Sequence, residues 1–329
     1  MKAVVNDEYG EPDVLVLTEL EPPVLRPDEV RVRVRAVEVT KGDCELRRFR
    51  FPVKWFWLPL RLAMGIVKPR KRVLGCYFAG EIDAVGQEVT SFAPGERVFG
   101  CTKFRMGAYA ELVCLPESYP LVAMPAGLDF AAAAAVPLGG LNALHFLNRA
   151  DIGRGAEVLI VGAGGSIGLF ALQMAKRRGA RVTVVDEASK EELLLSVGAD
   201  RFVDYRLSEV PPRGQRFDVT LSTVAASDYR AHVAALNPGG FYLIVNPRLS
   251  DMARAVGTSL FTDRTAVFEF AAESREELTT LRDMLEADEI RPVLDRVLPI
   301  ERIVEAHVRV ETERRLGAVV VAIGSGDAG

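Results

Sequence analysis

The chain has 329 residues, 49% of them hydrophobic, and a formal net charge of −4. This length exceeds one ordinary hydrophobic core and fits two domains. The mildly acidic charge gives no general reason to expect a polyanion such as nucleic acid as a partner. The four cysteines, at positions 44, 76, 101 and 114, contain no CxxC pair, which indicates free thiols in a cytoplasmic protein rather than a disulfide framework.

The first 120 residues are predicted to be mainly β. Residues 1–5 are expected to form a strand, and Asp7 and Glu8 follow too soon for a signal peptide. Residues 30–39 alternate apolar and polar side chains, as in a half-buried strand. The apolar stretch 55–67 is too short to predict a membrane-spanning helix. Further short strands are expected at 81–85, 97–99 and 108–113.

Helical sequence begins near residue 129. Asp129 can cap a helix that runs through the alanines 131–135. Pro137 and the pair Gly139-Gly140 are expected to interrupt this helix, because proline and glycine are poor helix formers.

From residue 157 to 245 strands alternate with helices. This alternation predicts βαβ units and a doubly wound parallel sheet. A strand at 267–270, an amphipathic helix at 276–287 and a strand at 317–323 are expected to follow. The elements expected within the alternating region are strand 158–161, helix 167–178, strand 181–185, helix 189–196 and strands 201–203, 219–222 and 241–245.

A glycine-rich turn is the strongest chemical signal in the sequence. It reads Gly162-Ala163-Gly164-Gly165-Ser166-Ile167-Gly168 and stands between a predicted strand and a predicted helix. A strict GxGxxG counted from Gly162 fails at Ile167, and the register that fits is Ala163-x-Gly165-x-x-Gly168. Such a turn lets a pyrophosphate approach the N–H groups at a helix N-terminus. Asp186 ends the next predicted strand, near the spacing expected of a ribose-binding carboxylate, or is an incidental surface residue.

Together with this turn, several segments resemble the quinone oxidoreductase-like, zinc-free branch of the medium-chain dehydrogenase/reductases. The resemblance covers nearly the whole chain. It implies an α/β architecture with a GroES-like β-barrel catalytic domain at 1–122, a Rossmann NAD(P)-binding domain at 123–272 and a return to the catalytic domain at 273–329. The segments are GEIDAVG at 80–86, FAPGERVFG at 92–100, GAYAE at 107–111, AAVPLGGLNAL at 134–144 and DRFVDY at 200–205.

The same resemblance implies hydride transfer from NAD(P)H to a quinone, an enone or a related carbonyl or activated C=C substrate, in the cleft between the domains and commonly in a homodimer. Candidate catalytic residues at this cleft are Thr40, Asp43 and Tyr77, with Lys41 nearby. Tyr77 could donate a proton to an enolate or could simply pack in the barrel. The cofactor-binding residues that the resemblance implies are Asn142, Ala163, Gly164, Gly165, Ser166, Ile167, Asp186, Lys190, Tyr205, Val224 and Asn246.

Zinc is not expected. Zinc-using relatives have a cysteine where this chain has Thr40 and a His-Glu pair where it has Cys76-Tyr77. They also carry a four-cysteine lobe where only Cys101 is found here. A catalytic zinc needs about three protein ligands, which these positions do not supply. The histidines at 145, 232 and 307 are far apart in sequence and are expected to be packing or surface residues.

The residues after the second Rossmann strand bear on the choice of cofactor. Asp186 and Glu187 would repel a 2′-phosphate, and Asp186 could accept hydrogen bonds from both ribose hydroxyls. This composition favours NADH, although Lys190 and Tyr205 could still contact a phosphate.

A basic aromatic segment, residues 46–80, has no explanation in this scheme. It holds nine Lys and Arg residues and no Asp or Glu. It could be a loop beside the active site, guide an anionic substrate, or dock on a membrane surface or nucleic acid. The last possibility is the only support for an alternative function, a dinucleotide-binding protein with a structural or nucleic-acid-binding role. The favoured interpretation has a small-molecule substrate, no nucleic acid and no integral membrane association.

Overall fold

The computed structural model describes residues 1–51, 57–225 and 227–324. The described part of the first 123 residues consists mainly of strands, with two short α-helices. These elements are β1 (Lys2–Asn6), β2 (Leu15–Glu19), β3 (Glu29–Val39), α1 (Lys41–Arg48), α2 (Trp57–Met64), β4 (Tyr77–Val85), β5 (Arg97–Cys101), β6 (Leu112–Pro116) and β7 (Leu121–Ala123).

The rest of the chain alternates strands with helices before it ends in two further strands. The elements are α3 (Phe130–Ala134), α4 (Val136–Leu147), β8 (Glu157–Val161), α5 (Ser166–Arg177), β9 (Arg181–Asp186), α6 (Glu191–Val197), β10 (Arg201–Asp204), β11 (Phe217–Ser222), α7 (Tyr229–Ala234), β12 (Leu236–Ile244), α8 (Leu249–Phe261), β13 (Thr265–Phe268), α9 (Arg275–Glu286), β14 (Leu294–Pro299), α10 (Ile303–Glu311) and β15 (Ala318–Ala322).

The first sheet forms the barrel lobe. Its strand order is β14-β15-β3-β4-β5-β7, and β6 also pairs with β3. The valines of β3 at 30, 32 and 34 are buried, while Arg31 and Arg33 pair with Asp83 on β4. The chain returns to this lobe through β15, which runs antiparallel to β3 with Val319 opposite Val39.

The second sheet forms the Rossmann lobe. Its strands are all parallel, in the order β10-β9-β8-β11-β12-β13. Numbered along the chain, this is the 3-2-1-4-5-6 order of dinucleotide-binding sheets. The order reverses between β8 and β11, and ligands bind such sheets at this switch point, beyond the carboxyl ends of the strands. The glycine turn follows β8 directly and therefore lies there.

The expected interruption of the helix near Pro137 is only partly correct. Asp129 caps α3 as predicted, by accepting a hydrogen bond from the N–H of Ala132. The break falls at Ala135, and Pro137 lies in the first turn of α4, where its missing N–H costs nothing. Gly139 lies inside α4. Only glycine fits at this position, because a Cβ there would lie 2.5 Å from the Ser166 carbonyl oxygen. Small residues let α4 pack closely on α5.

Two other expectations differ in detail. The strand expected at 108–113 begins only at Leu112, and the residues before it form an isolated bridge between Ala110 and Ala3. The strand expected at 267–270 lies two residues earlier, at Thr265–Phe268. Among the described helices, none combines the length and apolar character that crossing a bilayer would require.

Candidate active site

A cleft of about 1340 Å³ is lined by residues of both lobes. The three candidate catalytic residues and most of the candidate cofactor residues line it together. Ala163 and Gly164 lie in the glycine turn behind this lining. The predicted residues that line the cleft are Thr40, Asp43, Tyr77, Asn142, Gly165, Ser166, Ile167, Asp186, Lys190, Tyr205, Val224 and Asn246.

The glycine turn has a shape that fits a pyrophosphate. Gly165 is the N-cap residue of α5, so this helix has no side-chain cap. A Cβ at Gly165 would meet no atom closer than 3.8 Å, which shows that the space above the turn is open. An uncapped helix N-terminus with open space beside it offers N–H groups and a positive dipole end to an anion. The turn can therefore hold the phosphates of a dinucleotide.

Asp186 and Lys190 form an ion pair against this turn. The two charged atoms, Asp186 Oδ1 and Lys190 Nζ, lie 2.9 Å apart, and both side chains are less than 10% exposed. Asp186 Oδ2 also accepts a hydrogen bond of 2.7 Å from the N–H of Gly164. A Cβ at Gly164 would lie 2.4 Å from Lys190 Cδ. The carboxylate at the end of β9 is thus charge-compensated before any ligand arrives.

The neighbouring acid is also paired. Glu187 accepts hydrogen bonds from Ser189 and from Arg206, at 2.7 Å each. Tyr205, beside Arg206, is half exposed and lines the cleft. Two basic residues, Lys190 and Arg206, therefore accompany the two carboxylates at this end.

Two of the remaining cofactor candidates follow the carboxyl ends of central strands, and the third lies in a helix. Val224 comes two residues after β11 and Asn246 two residues after β12, and the Nδ2 of Asn246 donates to the Thr223 carbonyl. Asn142, inside α4, donates from Nδ2 to the Leu138 carbonyl. All three side chains line the cleft.

Thr40 and Asp43 form the N-terminal cap of α1. The Thr40 hydroxyl accepts from the Asp43 N–H and donates to Asp43 Oδ2 at 2.7 Å, and Asp43 Oδ1 accepts from the Gly75 N–H. Burial raises the pKa of the Asp43 carboxyl, against the hydrogen bonds from Thr40 and Gly75. Each carboxyl oxygen of Asp43 therefore accepts a hydrogen bond within the protein. The Asp43 side chain fixes the position of Thr40.

Tyr77 contacts an acid from a distant part of the chain, Glu273. Its hydroxyl donates to Glu273 Oε1 at 2.6 Å, and the Cys101 thiol lies 3.6 Å from Glu273 Oε2. Burial raises the pKa of the Tyr77 phenol well above its ordinary value, so this group stays protonated at neutral pH. Glu273 stands in the left-handed region, at φ +47°. No local pattern marks it, because its partner is 196 residues away.

Apolar side chains also line the cleft, among charged ones that include Lys103 and Glu269. Phe104 and Phe270 line it and are 78% and 74% exposed. Met106 and Leu138 line the wall. Aromatic and apolar walls with a small number of polar groups are typical of sites for small organic molecules.

The histidines have separate partners. His145 lies between Glu269 and Glu277, at 3.0 and 3.2 Å. His232 contacts Ser227 and His307 contacts Arg47, and burial lowers the pKa of these two rings to about 4 and about 3. Across residues 1–51, 57–225 and 227–324, no three His, Cys, Asp or Glu side chains lie together as a candidate metal site.

Much of the basic aromatic segment is engaged within the protein. Arg47 and Arg48 pair with Glu311, Arg72 pairs with Asp7, and Arg61 lies 4.0 Å from the ring centre of Tyr9. Lys54, Trp55 and Phe56 are outside the described residues. The exposed members include three basic and four apolar side chains: Lys68, Arg70, Lys71, Leu58, Leu62, Ile66 and Val67.

Comparison with known proteins identifies the family. Residues 26–126 match the alcohol dehydrogenase GroES-like domain, and residues 197–321 match the zinc-binding dehydrogenase domain. A quinone oxidoreductase of Pseudomonas aeruginosa is 30% identical, covering 95% of this chain and 97% of that protein. The chain belongs to the quinone oxidoreductase family of medium-chain dehydrogenase/reductases.

Other members of this superfamily agree in sequence and in fold. The 2-methylene-furan-3-one reductase of Solanum lycopersicum is 28% identical, covering 98% of this chain and 79% of that protein. The solved quinone oxidoreductase of Coxiella burnetii superimposes with a TM-score of 0.87 at 25% identity, covering 98% of this chain and 99% of that chain. The fold and the oxidoreductase class predicted from sequence are thereby confirmed, and the family uses a nicotinamide dinucleotide.

Proposed function

We propose that this quinone oxidoreductase homologue reduces a quinone, an enone or a related carbonyl or activated C=C compound with NAD(P)H. The observation that carries the proposal is one cleft that joins the uncapped start of α5 to the half-buried phenol of Tyr77. The activities for which the relatives are named, on a quinone and on a furanone, support the same substrate class.

A bound NAD(P)H supplies the hydride of this reaction. The glycine turn binds the phosphates, and Asn142, Val224 and Asn246 line the path toward the barrel lobe. Phe104 and Phe270, which line the cleft, can flank a planar acceptor. The Tyr77 hydroxyl, which donates to Glu273 in this structure, can turn the same proton toward a substrate oxygen on which negative charge develops. Thr40, held by Asp43, is the second hydroxyl available there.

The reaction is proposed to proceed without zinc. The residues at the positions of zinc ligands are Thr40, Cys76 and Tyr77. Thr40 and Tyr77 are hydroxyls that are bonded to Asp43 and Glu273, so Cys76 alone among these three positions offers a ligand of the type that zinc prefers. A catalytic zinc needs about three such ligands. Elemental analysis of purified protein should find far less than one zinc per chain. About one zinc per chain, lost together with activity on chelation, would refute this.

NADH is the proposed preferred cofactor. Asp186 lines the cleft at the end of β9, where a carboxylate can accept hydrogen bonds from ribose hydroxyls. Its pairing with Lys190 reduces the repulsion of a 2′-phosphate, so we expect a preference of modest size. Dissociation constants for NADH and NADPH, measured by fluorescence titration, test this directly.

We further propose a homodimer that forms through the Rossmann lobe. β13 ends the order of the described strands and pairs there with β12. Beside it, α8 exposes Val256, Leu260 and Phe261 at 51%, 71% and 85%. An open strand edge next to exposed apolar side chains favours association. Sedimentation should give twice the chain mass of 36.0 kDa, and Leu260→Asp with Phe261→Asp should give monomers.

A cytoplasmic location is proposed on the cysteines. All four are free in the structure, and Cys44, Cys101 and Cys114 are buried. Free thiols persist in reducing compartments. Fractionation of cells that express the natural chain should recover it in the cytoplasmic fraction, and recovery elsewhere would contradict the assignment.

The test of the function is a panel of quinones, enones and aldehydes, with oxidation of NADH and of NADPH followed by absorbance. We expect turnover of quinones or enones and little turnover of simple alcohols in the reverse direction. Saturable dinucleotide binding without turnover of any acceptor would instead favour the non-enzymatic alternative. A gel-shift assay with nucleic acid, run beside it, tests that alternative independently.

A further inference from the structure

A buried carboxyl connects the two lobes at the phosphate end of the cleft. Glu38 lies on β3, two residues before Thr40, and is only 1% exposed. Its Oε1 accepts a hydrogen bond of 2.6 Å from the hydroxyl of Ser166, 128 residues further along the chain. Ser166 is the first residue of α5, next to Gly165. A residue of the barrel lobe therefore touches the turn that can hold the phosphates.

The second oxygen of this carboxyl has no hydrogen-bond partner. Glu38 Oε2 is buried and unpaired among the described residues. Carboxylates are rarely buried without a cation, and ionised Glu38 would be costly here. Burial raises the pKa of Glu38 to about 8, although the hydrogen bond from Ser166 and the charge of Arg315 lower it and the charge of Asp43 raises it further. The carboxyl is therefore mostly neutral at neutral pH.

In the described part of the chain, the charged groups on the elements that pack against β3 already have other partners. β15 and α3 carry only apolar residues. On β4, Tyr77 is bonded to Glu273, Glu81 pairs with Arg35, and Asp83 pairs with Arg31 and Arg33. On α10, His307 is bonded to Arg47, and Glu305, Arg309 and Glu311 pair with Arg302, Asp295 and Arg47. Ser166, Arg315 and Asp43 are thus the polar groups that govern the charge of Glu38.

We propose that Glu38 is a positioning residue for the dinucleotide, which holds Ser166 at the start of α5 while neutral and opposes phosphate binding once ionised. This inference rests on the proposed function, because it concerns the same phosphate site. The physical reason is that a carboxylate at the start of α5 competes with the phosphates for the positive end of the helix and repels their charge. Ionisation of Glu38 should then weaken dinucleotide binding, and a bound dinucleotide should raise the pKa of Glu38 by an equivalent free energy.

The experiment compares the pH dependence of NADH binding in the wild type and in Glu38→Gln. Fluorescence titration at pH values from about 6.5 to about 9.5 covers the range in which Glu38 is expected to ionise. The wild-type dissociation constant should be flat at low pH and rise at high pH, by at most about tenfold per pH unit. Glutamine keeps the shape and can still accept from Ser166, but it cannot ionise. Its dissociation constant should stay flat, and equal pH dependence in both proteins would overturn the inference.

Two further variants separate charge from structure. Ser166→Ala removes a hydrogen bond that favours ionised Glu38, so the rise should persist and begin at higher pH. Glu29→Gln is the matched control, because Glu29 lies on the same strand and is equally buried but pairs with Arg105 at 2.7 Å. It should keep the wild-type pH dependence. A flat profile in Glu29→Gln would mean that the effect comes from the strand rather than from Glu38.

A stability measurement without cofactor distinguishes failure of the Glu38 proposal from failure of the proposed function. The folded pKa of Glu38 lies above its ordinary value near 4.5, so the wild type should lose stability relative to Glu38→Gln as pH rises from about 4.5 to about 8. Denaturation midpoints of the two apo proteins give this difference. If neither NADH nor NADPH binds the wild type at any pH, the proposed function fails. If they bind but the two denaturation profiles run parallel, only the inference about Glu38 fails.

Discussion

The two halves of the cleft are built in different ways. The cofactor half is formed by backbone groups and by side chains that are close in sequence, such as Asp186 and Lys190. The substrate half is formed by side chains from distant parts of the chain, and Tyr77 meets Glu273 across 196 residues. Recognition of phosphates needs only a strand, a turn and a helix start. Placement of a proton donor needs the finished fold.

The two lobes also differ in how their acids at or near the cleft are compensated. Asp186 and Glu187 at the cofactor end each have a basic partner, at 2.9 and 2.7 Å. Asp43 and Glu38 on the barrel side are buried without an ion pair among the described residues, and burial raises the pKa of both. We therefore expect pH to act on the protein mainly through its barrel side.

The largest expected effect comes from the cofactor half. Gly165→Val would place a branched side chain in the open space above the start of α5, where the phosphates are proposed to lie. NADH binding should weaken by more than about 100-fold, equivalent to about 2.7 kcal/mol, with little change in the denaturation midpoint. Gly153→Val, which also enters open space but does not line the cleft, is the control. Unchanged NADH affinity in Gly165→Val would place the phosphates elsewhere.

In the substrate half, Tyr77→Phe removes the proposed proton donor. General acid catalysis contributes about 10²- to 10⁴-fold, so kcat should fall by about 100-fold while the NADH dissociation constant stays unchanged. Glu273→Gln should lower kcat less, because the phenol remains. Tyr229→Phe is a suitable control, since this hydroxyl bonds Thr258 outside the cleft. Equal losses in Tyr77→Phe and Tyr229→Phe would indicate a general packing effect.

The ion pair at the end of β9 should have an intermediate effect. Asp186→Ser should weaken NADH by about tenfold, the size of one charge-assisted hydrogen bond, and should leave NADPH unchanged or tighter because Lys190 is released. Lys190→Met leaves Asp186 uncompensated and should shift the preference further toward NADH. Dissociation constants of both cofactors for both variants test this. If neither substitution changes the ratio of the two constants, the pair does not select the cofactor.

The smallest effect is expected outside the cleft. If the exposed basic residues Lys68, Arg70 and Lys71 guide an anionic substrate, their joint replacement by Glu should lower kcat/KM by about twofold to threefold at low salt. The difference should disappear as salt screens charges beyond about 8–10 Å. A loss of equal size at every salt concentration would instead indicate a packing role. Arg72 is left intact in this variant, because it already pairs with Asp7.

The Rossmann lobe could be predicted almost strand by strand. A parallel strand buried on both faces is a continuous apolar run, and the expected strands at 158–161 and 181–185 correspond to Glu157–Val161 and Arg181–Asp186. The glycine turn was predictable for the same reason, because its function depends on local backbone shape. The helix α8 was missed, since its apolar residues Leu260 and Phe261 face outward and it lacks the pattern of a helix buried on one side.

The barrel side was predicted less completely because its contacts are long-range. Thr40 and Asp43 can be predicted as catalytic candidates from the family resemblance. Their common role as the cap of α1 cannot, because Gly42 in the first turn obscures that short helix. The contacts of Glu273 with Tyr77 and of Glu38 with Ser166 depend on chain segments that meet only after folding. No spacing or periodicity in the sequence encodes such a pair.

The position of β15 has a consequence for synthesis of the chain. Residues 36–39 of β3, which lead directly to Thr40, pair on one side with β15, and the ribosome makes β15 only after the whole Rossmann lobe. At roughly 5–20 residues per second, β15 is synthesised about a quarter of a minute to a minute after this part of β3. Until then the unpaired edge of β3 can form hydrogen bonds with other nascent chains. Growth conditions that slow translation should therefore increase aggregation through the barrel lobe before the Rossmann lobe is affected.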